Sequence, residues 1–194
     1  MNVAVIFYSL YGGTAELAAA IAEGARQGGA AVRLRRVAEL APTDRWSEQE
    51  RIRAAREHLA SVPLAQRDDL VWADGIALGS PARYGAMSAQ LGRFLDDARR
   101  LSGDLAGKVA CVFCSPSPAP GAQRAALHSM IAPLLAHGAL IQAPARAETE
   151  RMDSAARPDS QPPPEPGRGP LGLDLPRARA LGRRLALSAQ RTRG

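Results

Sequence analysis

The chain has 194 residues, 46% of them hydrophobic and only 4% aromatic, and its 25 basic and 19 acidic side chains give a net charge of +6. This length suffices for a domain with its own core, and two cysteines are too few for a disulfide scaffold. Charges or glycines break every apolar run before about 18 residues, and the first residues carry no basic segment, so we expect no membrane span, no signal peptide and a cytoplasmic location.

The first 143 residues alternate between apolar runs and segments with apolar residues at helical spacing. We predict strands at 2–8, 31–37, 75–79, 108–114 and 139–142, and helices at 14–28, 47–59, 86–101 and 122–137. Runs that are apolar on both faces are typical of strands in a parallel sheet covered by helices. The alternation therefore predicts an α/β fold, a doubly wound parallel sheet with helices on both faces.

Local signals refine two of these helices. Ser47 is a plausible N-cap for the second helix, with Glu50 completing a capping box. Pro133 lies inside the fourth helix and is expected to interrupt it.

The composition changes after Ala143. Residues 144–170 contain seven of the 15 prolines and few large apolar side chains, so we expect a long loop that is partly disordered. A last helix is predicted at 174–190, with Asp174 as its N-cap. We interpret residues 1–194 as a single domain.

The basic residues do not form an obvious binding face. All but Lys108 are arginines, and they are scattered among acidic residues rather than gathered in one segment. A nucleic-acid-binding protein is expected to concentrate its basic residues on one face. We interpret the arginine excess as codon bias and expect no nucleic-acid partner.

The turn after the first strand carries the most information. It reads Ser-Leu-Tyr-Gly-Gly-Thr-Ala-Glu from Ser9 to Glu16 and leads into a helix N-terminus, where free backbone N–H groups form an anion site. The turn lacks both the Walker A pattern and the G-x-G-x-x-G dinucleotide pattern. Small hydroxylic residues suit a terminal monophosphate, although an ordinary tight turn remains possible.

Two further loops follow strands of the same sheet. Ser-Pro-Ala-Arg-Tyr-Gly at 80–85 follows the third strand, and a proline-rich loop at 115–123 follows the fourth. Ligands of doubly wound sheets bind beyond the carboxyl ends of the strands. The second loop offers an aromatic ring and an arginine and the third a polar edge, which together could hold a planar ring.

These segments resemble the WrbA group of NAD(P)H:quinone oxidoreductases, which have a flavodoxin-like fold. The matching segments are VAVIFYSLYGGTAELAAAIAEGA from Val3, GSPARYGAMSAQLGRFLD from Gly79, GKVACVFCS from Gly107, and His137-Gly138. The resemblance covers about residues 1–143. It implies a five-stranded sheet of order 2-1-3-4-5 that binds FMN.

The resemblance also assigns site residues by position. The phosphate, the isoalloxazine and ribityl group, and the ring's other edge would be contacted by three sets of residues. These are Ser9, Tyr11, Gly12, Gly13 and Thr14; Pro81, Ala82, Arg83, Tyr84 and Gly85; and Ser115, Ser117 and Gly121. His137 would lie near the flavin face.

The chemistry implied by the resemblance belongs to the cofactor. NADH or NADPH would reduce FMN, which would pass two electrons to a quinone, with His137 or Tyr84 as catalytic residues that stabilise the quinol oxygen. Members of the group are commonly dimers or tetramers, so we expect a homo-oligomer. No metal is implied.

Departures from the group's pattern leave an alternative open. Pro116, Pro118 and Pro120 stand where the group has glycine and threonine, and each removes a backbone donor. Ala82 replaces a threonine, and the aromatic segment expected after the third helix is shortened. The alternative is a binding or scaffold protein with a degraded flavin-ring site and weak or no FMN binding.

The cysteines and histidines add few candidate site residues. Cys111 and Cys114 are three apart in a strand, so they should point to opposite faces and neither pair nor share a metal. His58 and His128 are expected to be ordinary helix residues. For His137, a place at a helix C-terminus and a role at the flavin are both open.

Overall fold

Five parallel strands form the centre of the computed structural model, which describes residues 1–40, 50–82, 84–98, 105–115, 120–143 and 173–192. The strands are β1 Asn2–Phe7, β2 Ala31–Arg36, β3 Gly75–Ser80, β4 Val109–Cys114 and β5 Leu140–Ile141. Their order in the sheet is β2-β1-β3-β4-β5, and every neighbouring pair is parallel. This confirms the predicted fold class and strand order.

Within the described residues, six helices connect or follow these strands. They are α1 Gly13–Gln27, α2 Glu50–Leu59, α3 Arg67–Trp72, α4 Ala89–Ala98, α5 Pro120–Ala136 and α6 Leu175–Thr192. Within the described ranges, none of the helices combines the length and apolar character that crossing a bilayer requires.

The side chains of β1 alternate between two apolar clusters, one on each face of the sheet. Val3, Val5 and Phe7 pack with α1 and α6, whereas Ala4 and Ile6 pack with side chains of α3, α4 and α5. All five side chains are fully buried, as expected for a strand covered on both faces. The sheet therefore has helices on both sides, and its ends remain as the places for a site.

The two cysteines lie on opposite faces of β4, as their spacing predicted. Cys111 belongs to the cluster under α1 and α6, and Cys114 belongs to the other cluster. Burial raises the pKa of Cys111 to about 12 and that of Cys114 to about 11, the latter despite a hydrogen bond from the Ala82 backbone. Neither thiol is positioned to form a disulfide with the other or to ionise near neutral pH.

The last helix is confirmed, together with its cap. Asp174 directly precedes α6, and its carboxylate accepts a hydrogen bond of 2.9 Å from the backbone N–H of Arg177 in the first turn of the helix. Further along, the Arg179 guanidinium pairs with Glu23 of α1 at 2.7 Å. The helix thus packs against α1, on the face of the sheet opposite α3, α4 and α5.

Two local expectations need correction. Pro133 does not interrupt the fourth predicted helix, since α5 runs from Pro120 to Ala136 and Pro133 contributes its carbonyl to His137 N–H at 3.1 Å. The short helix α3 was not predicted; the Asp69 carboxylate accepts from Gln66 N–H at 2.9 Å at its start. An aspartate at that position is a weaker signal than the glutamate of a usual capping box.

Some predictions fall outside the described residues. These are the Ser47 cap, the end of the helix predicted to reach 101, and the proline-rich loop at 144–170. The division of the chain into a single domain stays a prediction.

Candidate active site at the carboxyl edge of the sheet

The three loops predicted to form the site begin side by side at one edge of the sheet. Phe7 of β1 pairs in register with Gly79 of β3, and Gly79 pairs with Phe113 of β4. The Tyr8 N–H donates to the Gly79 carbonyl at 3.0 Å, so β1 and β3 stay paired into the first loop. Because the strands are parallel, all three loops leave the sheet at its carboxyl edge.

The first of these loops turns sharply into α1. Gly12 has a φ of +94°, a conformation that favours glycine, and its carbonyl accepts from Glu16 N–H at 3.0 Å to start the helix. The Ser9 hydroxyl accepts from Ala15 N–H at 3.3 Å. Thr14 is buried, whereas Tyr11 is half exposed. The loop presents a helix N-terminus and small hydroxyl groups, which is a donor set suited to a phosphate.

The first and third loops meet directly. A Cβ built on Gly13 would lie 3.8 Å from the Cβ of Ser115, the first residue after β4. Gly13 therefore leaves a small concavity between the two loops that a larger side chain would occupy. Gly121 is exposed in the first turn of α5. Ser117 lies outside the described residues.

The proline at the end of the third loop has a structural explanation. Pro120 is the first residue of α5, a position where a helix needs no backbone N–H and where the fixed φ of proline is favourable. The loss of a donor at Pro120 is therefore no evidence for a degraded site.

The second loop is anchored at its base by buried side chains. The Ser80 hydroxyl accepts from Ser88 N–H at 2.8 Å and donates to the Pro81 carbonyl at 3.0 Å. The Ala82 N–H donates to the thiol of Cys114, the residue paired with Ser80 in the sheet. Both ends of the loop are thus tied to the ends of β3 and β4.

A serine of α5 adds a further anchor to this loop. The Ser129 hydroxyl accepts from Met87 N–H at 2.8 Å and donates to the Ala126 carbonyl at 2.7 Å. Gly85 approaches the same helix, since a Cβ built there would lie 3.5 Å from that of Ala125. Ser80 and Ser129 were not among the predicted site residues, and a lone serine in a helix gives no sequence signal of such a role.

Tyr84 lies at the tip of the anchored loop. Its φ is +50°, which is unusual for any residue other than glycine, and its side chain is 101% exposed. Gly85 follows with a φ of +78°. A non-glycine residue with a positive φ is a feature that functional sites often contain, and here it carries a fully exposed aromatic ring. Pro81 and Ala82, earlier in the loop, are half-buried, and Arg83 lies outside the described residues.

A buried amide lies near the third loop. Gln123, in the first turns of α5, is 3% exposed, and within the described part of the chain its Nε2 group has no hydrogen-bond partner. A buried donor without a partner carries a free-energy cost that a ligand carbonyl at that position would remove. The described donors at the ends of β1, β3 and β4 thus include hydroxyl, amide and helix N–H groups, all of which are neutral.

His137 is not brought together with these loops. It lies between the end of α5 and β5, and β5 pairs with the first residues of β4, Leu140 with Val109. Its place is therefore the amino edge of the sheet, whereas Ser115 lies at the carboxyl edge, a strand length of about 17–20 Å away. Within one chain, His137 cannot contact a ligand held by the three loops.

Together these residues fit FMN. The helix N-terminus beside Ser9 and Gly13 suits its phosphate, and the neutral donors near Gln123 suit the carbonyl groups of a ring. The exposed Tyr84 supplies an aromatic surface for a planar group. The site is compatible with the cofactor implied by the sequence.

Comparison with known protein families decides between the interpretations that the sequence left open. The family model described as NADPH-dependent FMN reductase matches residues 1–148. The chain belongs to this family. It is therefore a flavin-dependent oxidoreductase with FMN as cofactor and NAD(P)H as electron donor, and the resemblance to WrbA-type proteins is confirmed.

Relatives with about 40% identity share most of their length with this chain. An "NAD(P)H dehydrogenase (quinone)" from Archaeoglobus fulgidus is 42% identical over 142 residues, covering 72% of this chain and 74% of the relative. A protein of the same name from Aromatoleum aromaticum is 42% identical over 144 residues, covering 73% and 69%. Both matches are about as long as the segment that carries the sequence motifs.

Solved structures support the fold over nearly the whole chain. A WrbA-like flavodoxin from Agrobacterium tumefaciens matches with a TM-score of 0.62 and 22% identity, covering 98% of both chains. A flavodoxin from the domain Archaea matches with a TM-score of 0.61 and 17% identity, covering 98% of this chain and 99% of that one. At this identity the likeness establishes a flavodoxin-like fold.

Proposed function

We propose that this oxidoreductase transfers two electrons from NAD(P)H to quinones by way of FMN held at the carboxyl edge of the sheet. The observation that carries the proposal is the side-by-side arrangement of the three loops beyond β1, β3 and β4. The names of the two relatives, both NAD(P)H dehydrogenase (quinone), support a quinone as the acceptor. When bound, FMN supplies hydride acceptance from the nicotinamide and onward transfer of the electrons.

Each part of the chain has a proposed role in this reaction. Ser9, Tyr11, Gly12, Gly13 and Thr14 would hold the phosphate, with α1 N–H groups as the donors. The ring would lie between the second and third loops. Its contacts would come from Pro81, Ala82, Arg83, Tyr84, Gly85, Ser115, Ser117 and Gly121, with Gln123 and the anchors Ser80 and Ser129 added from the structure.

Tyr84 is the proposed catalytic residue of this chain. Its exposed phenol is well placed on the loop to contact a quinone stacked on the ring and to donate a hydrogen bond to its oxygen. His137 can take such a role only toward the cofactor of a neighbouring subunit, because it lies at the opposite edge of its own sheet. A homo-dimer or homo-tetramer and a cytoplasmic location stay predictions.

The proposal is tested with one preparation of purified protein. FMN is titrated into the apo-protein while flavin fluorescence and the melting temperature are followed; at a hundredfold excess over the dissociation constant, binding should add about 2.7 kcal/mol to the free energy of unfolding. The loaded protein is then given NADPH or NADH with benzoquinone, and nicotinamide oxidation is followed. Tyr84→Phe should bind FMN as well as the wild type and turn over the quinone more slowly.

Controls separate the acceptor from the cofactor. Cytochrome c added to the assay reports one-electron products, which a two-electron transfer leaves at the background level. If FMN binds and NAD(P)H is oxidised only when free flavin is added, the quinone assignment is wrong. If FMN binds neither to the wild type nor to Tyr84→Phe, the site at this edge is wrong.

A further inference from the structure

A cavity lined by both charged and apolar side chains lies next to the phosphate loop, on the other side of β1 from the ring loops. Its volume is about 210 Å³, and it is lined by the ends of β1 and β2 and by the second half of α2. Ser9 is the residue that it shares with the proposed FMN site. The volume is below the roughly 300 Å³ of a pocket for a whole small molecule, so it fits an end group such as a phosphate on a ribose.

Two arginines from different elements line this cavity. Arg36 is the last residue of β2, and Arg56 lies on α2. The Arg36 Nε group donates to the Val62 carbonyl at 3.0 Å, which fixes the side chain and leaves its terminal amino groups for other contacts. In the described part of the chain, Arg56 has neither a hydrogen bond nor an ion pair, although it is half-buried.

The carboxylate in the cavity does not neutralise both arginines. Glu39 accepts a hydrogen bond of 3.0 Å from Gln90 Nε2, and the same amide donates to the Tyr8 hydroxyl at 3.1 Å. Among the described lining residues, two positive groups therefore face one negative group that is already engaged with an amide. Such an excess of positive charge, with the Ser9 hydroxyl at the rim, favours an anion, and guanidinium groups match phosphate oxygens in geometry.

We propose that Arg36 and Arg56 form a phosphate-monoester site that receives the 2′-phosphate of NADPH and so favours NADPH over NADH. The inference rests on the proposed function. β2 lies about 10–14 Å from β3 and β4, since neighbouring strands are about 4.8 Å apart, and an extended dinucleotide with its nicotinamide at the ring is long enough to place its adenosine end on this side of β1. Free phosphate is the other source of the same chemistry.

The experiment uses the apo-protein, so that its outcome does not depend on FMN binding or turnover. Adenosine 2′,5′-bisphosphate, adenosine 5′-monophosphate and inorganic phosphate are titrated by calorimetry at low ionic strength. Arg56→Gln should weaken the bisphosphate about tenfold, as expected for the loss of one charge-assisted contact. Arg53→Gln, which removes a charge from an exposed position on the same helix, is the matched control and should change nothing.

A second variant should change the affinity for the bisphosphate in the opposite direction. Glu39→Gln keeps a hydrogen-bonding group beside Gln90 while removing the negative charge. The affinity for the bisphosphate should therefore rise several-fold. If inorganic phosphate responds to all variants as the bisphosphate does, the phosphate site stands but free phosphate is its source. If the bisphosphate binds Arg56→Gln as tightly as the wild type, the site is wrong even where FMN and quinone reduction are intact.

Turnover then gives the specificity. In the loaded enzyme, Arg56→Gln should raise the KM for NADPH about tenfold while leaving the KM for NADH and both kcat values near those of the wild type. An equal rise for both nucleotides would overturn the assignment of the 2′-phosphate.

Discussion

Gly24 of α1 and Gly182 of α6 lie at the crossing of the two helices, each against the backbone of the other helix. A Cβ on Gly24 would overlap the carbonyl oxygen of Arg179, and a Cβ on Gly182 would overlap that of Ile21. Neither carbonyl can move without moving its helix. The two glycines thus set the distance at which α6 covers this face of the sheet.

Gly24→Ala and Gly182→Ala should therefore each destabilise the fold by about 1–3 kcal/mol, because the helices must separate to admit the methyl group. Urea denaturation measures the change. The control is Gly92→Ala in α4, where a Cβ would meet nothing within 4 Å. That variant should gain about 0.5–1 kcal/mol from helix propensity, and a loss at Gly92 equal to that at Gly24 would contradict the crossing.

Ser129→Ala tests the anchor of the ring loop. Removing the hydroxyl leaves Met87 N–H without its acceptor, which should lower the free energy of unfolding by about 1 kcal/mol. The affinity for FMN should fall several-fold, because the loop is no longer held in place. FMN titration and denaturation of the same variant measure both effects. Ser129→Thr, which retains the hydroxyl, should restore both, and unchanged FMN affinity in Ser129→Ala would exclude an anchoring role.

Tyr84→Gly separates stability from function at one residue. The exposed ring contributes no packing, whereas its positive φ costs about 1–2 kcal/mol that glycine does not pay. Part of this gain is offset by the greater freedom of glycine in the unfolded chain, so the apo-protein should be as stable as the wild type or up to about 1 kcal/mol more stable. FMN binding and quinone turnover should fall. A parallel loss of stability would show that the ring is packed.

The buried thiols predict a pH dependence in the alkaline range. Burial raises the pKa of Cys111 from its ordinary 9.0 to about 12 and that of Cys114 to about 11. The unfolded chain therefore loses these protons at a lower pH than the folded chain does, and the free energy of unfolding should fall as the pH rises above about 9 toward 11–12.

Denaturation at about pH 8 and about pH 10.5 measures this slope. Cys111→Ala, although less stable overall, should show a smaller decrease between the two values than the wild type. A thiol reagent at neutral pH should modify neither cysteine in the folded protein and both in urea. Rapid modification of the folded protein would contradict the burial of both thiols.

The sequence by itself determined the centre of the sheet, because β1, β3 and β4 are apolar on both faces and therefore have one environment available to them. Residues 3–7 of β1 and Val109–Cys114 of β4 are continuous apolar runs that can be buried only between two layers of helices. The same local physics placed Cys111 and Cys114 on opposite faces and Asp174 at the start of α6. The glycine-rich turn at 9–14 could also be predicted from the sequence, since its conformation depends on few neighbouring residues.

Only the tertiary structure decided which distant residues share a site. It placed His137 at the amino edge of the sheet, away from Tyr84. It also brought Arg36 of β2 and Arg56 of α2 to one cavity. It likewise joined Ser129 to Met87 and Gly24 to the backbone at Arg179. Such contacts depend on the register of strands and the crossing of helices, which are set by the whole core and leave no local signal in the residues that use them.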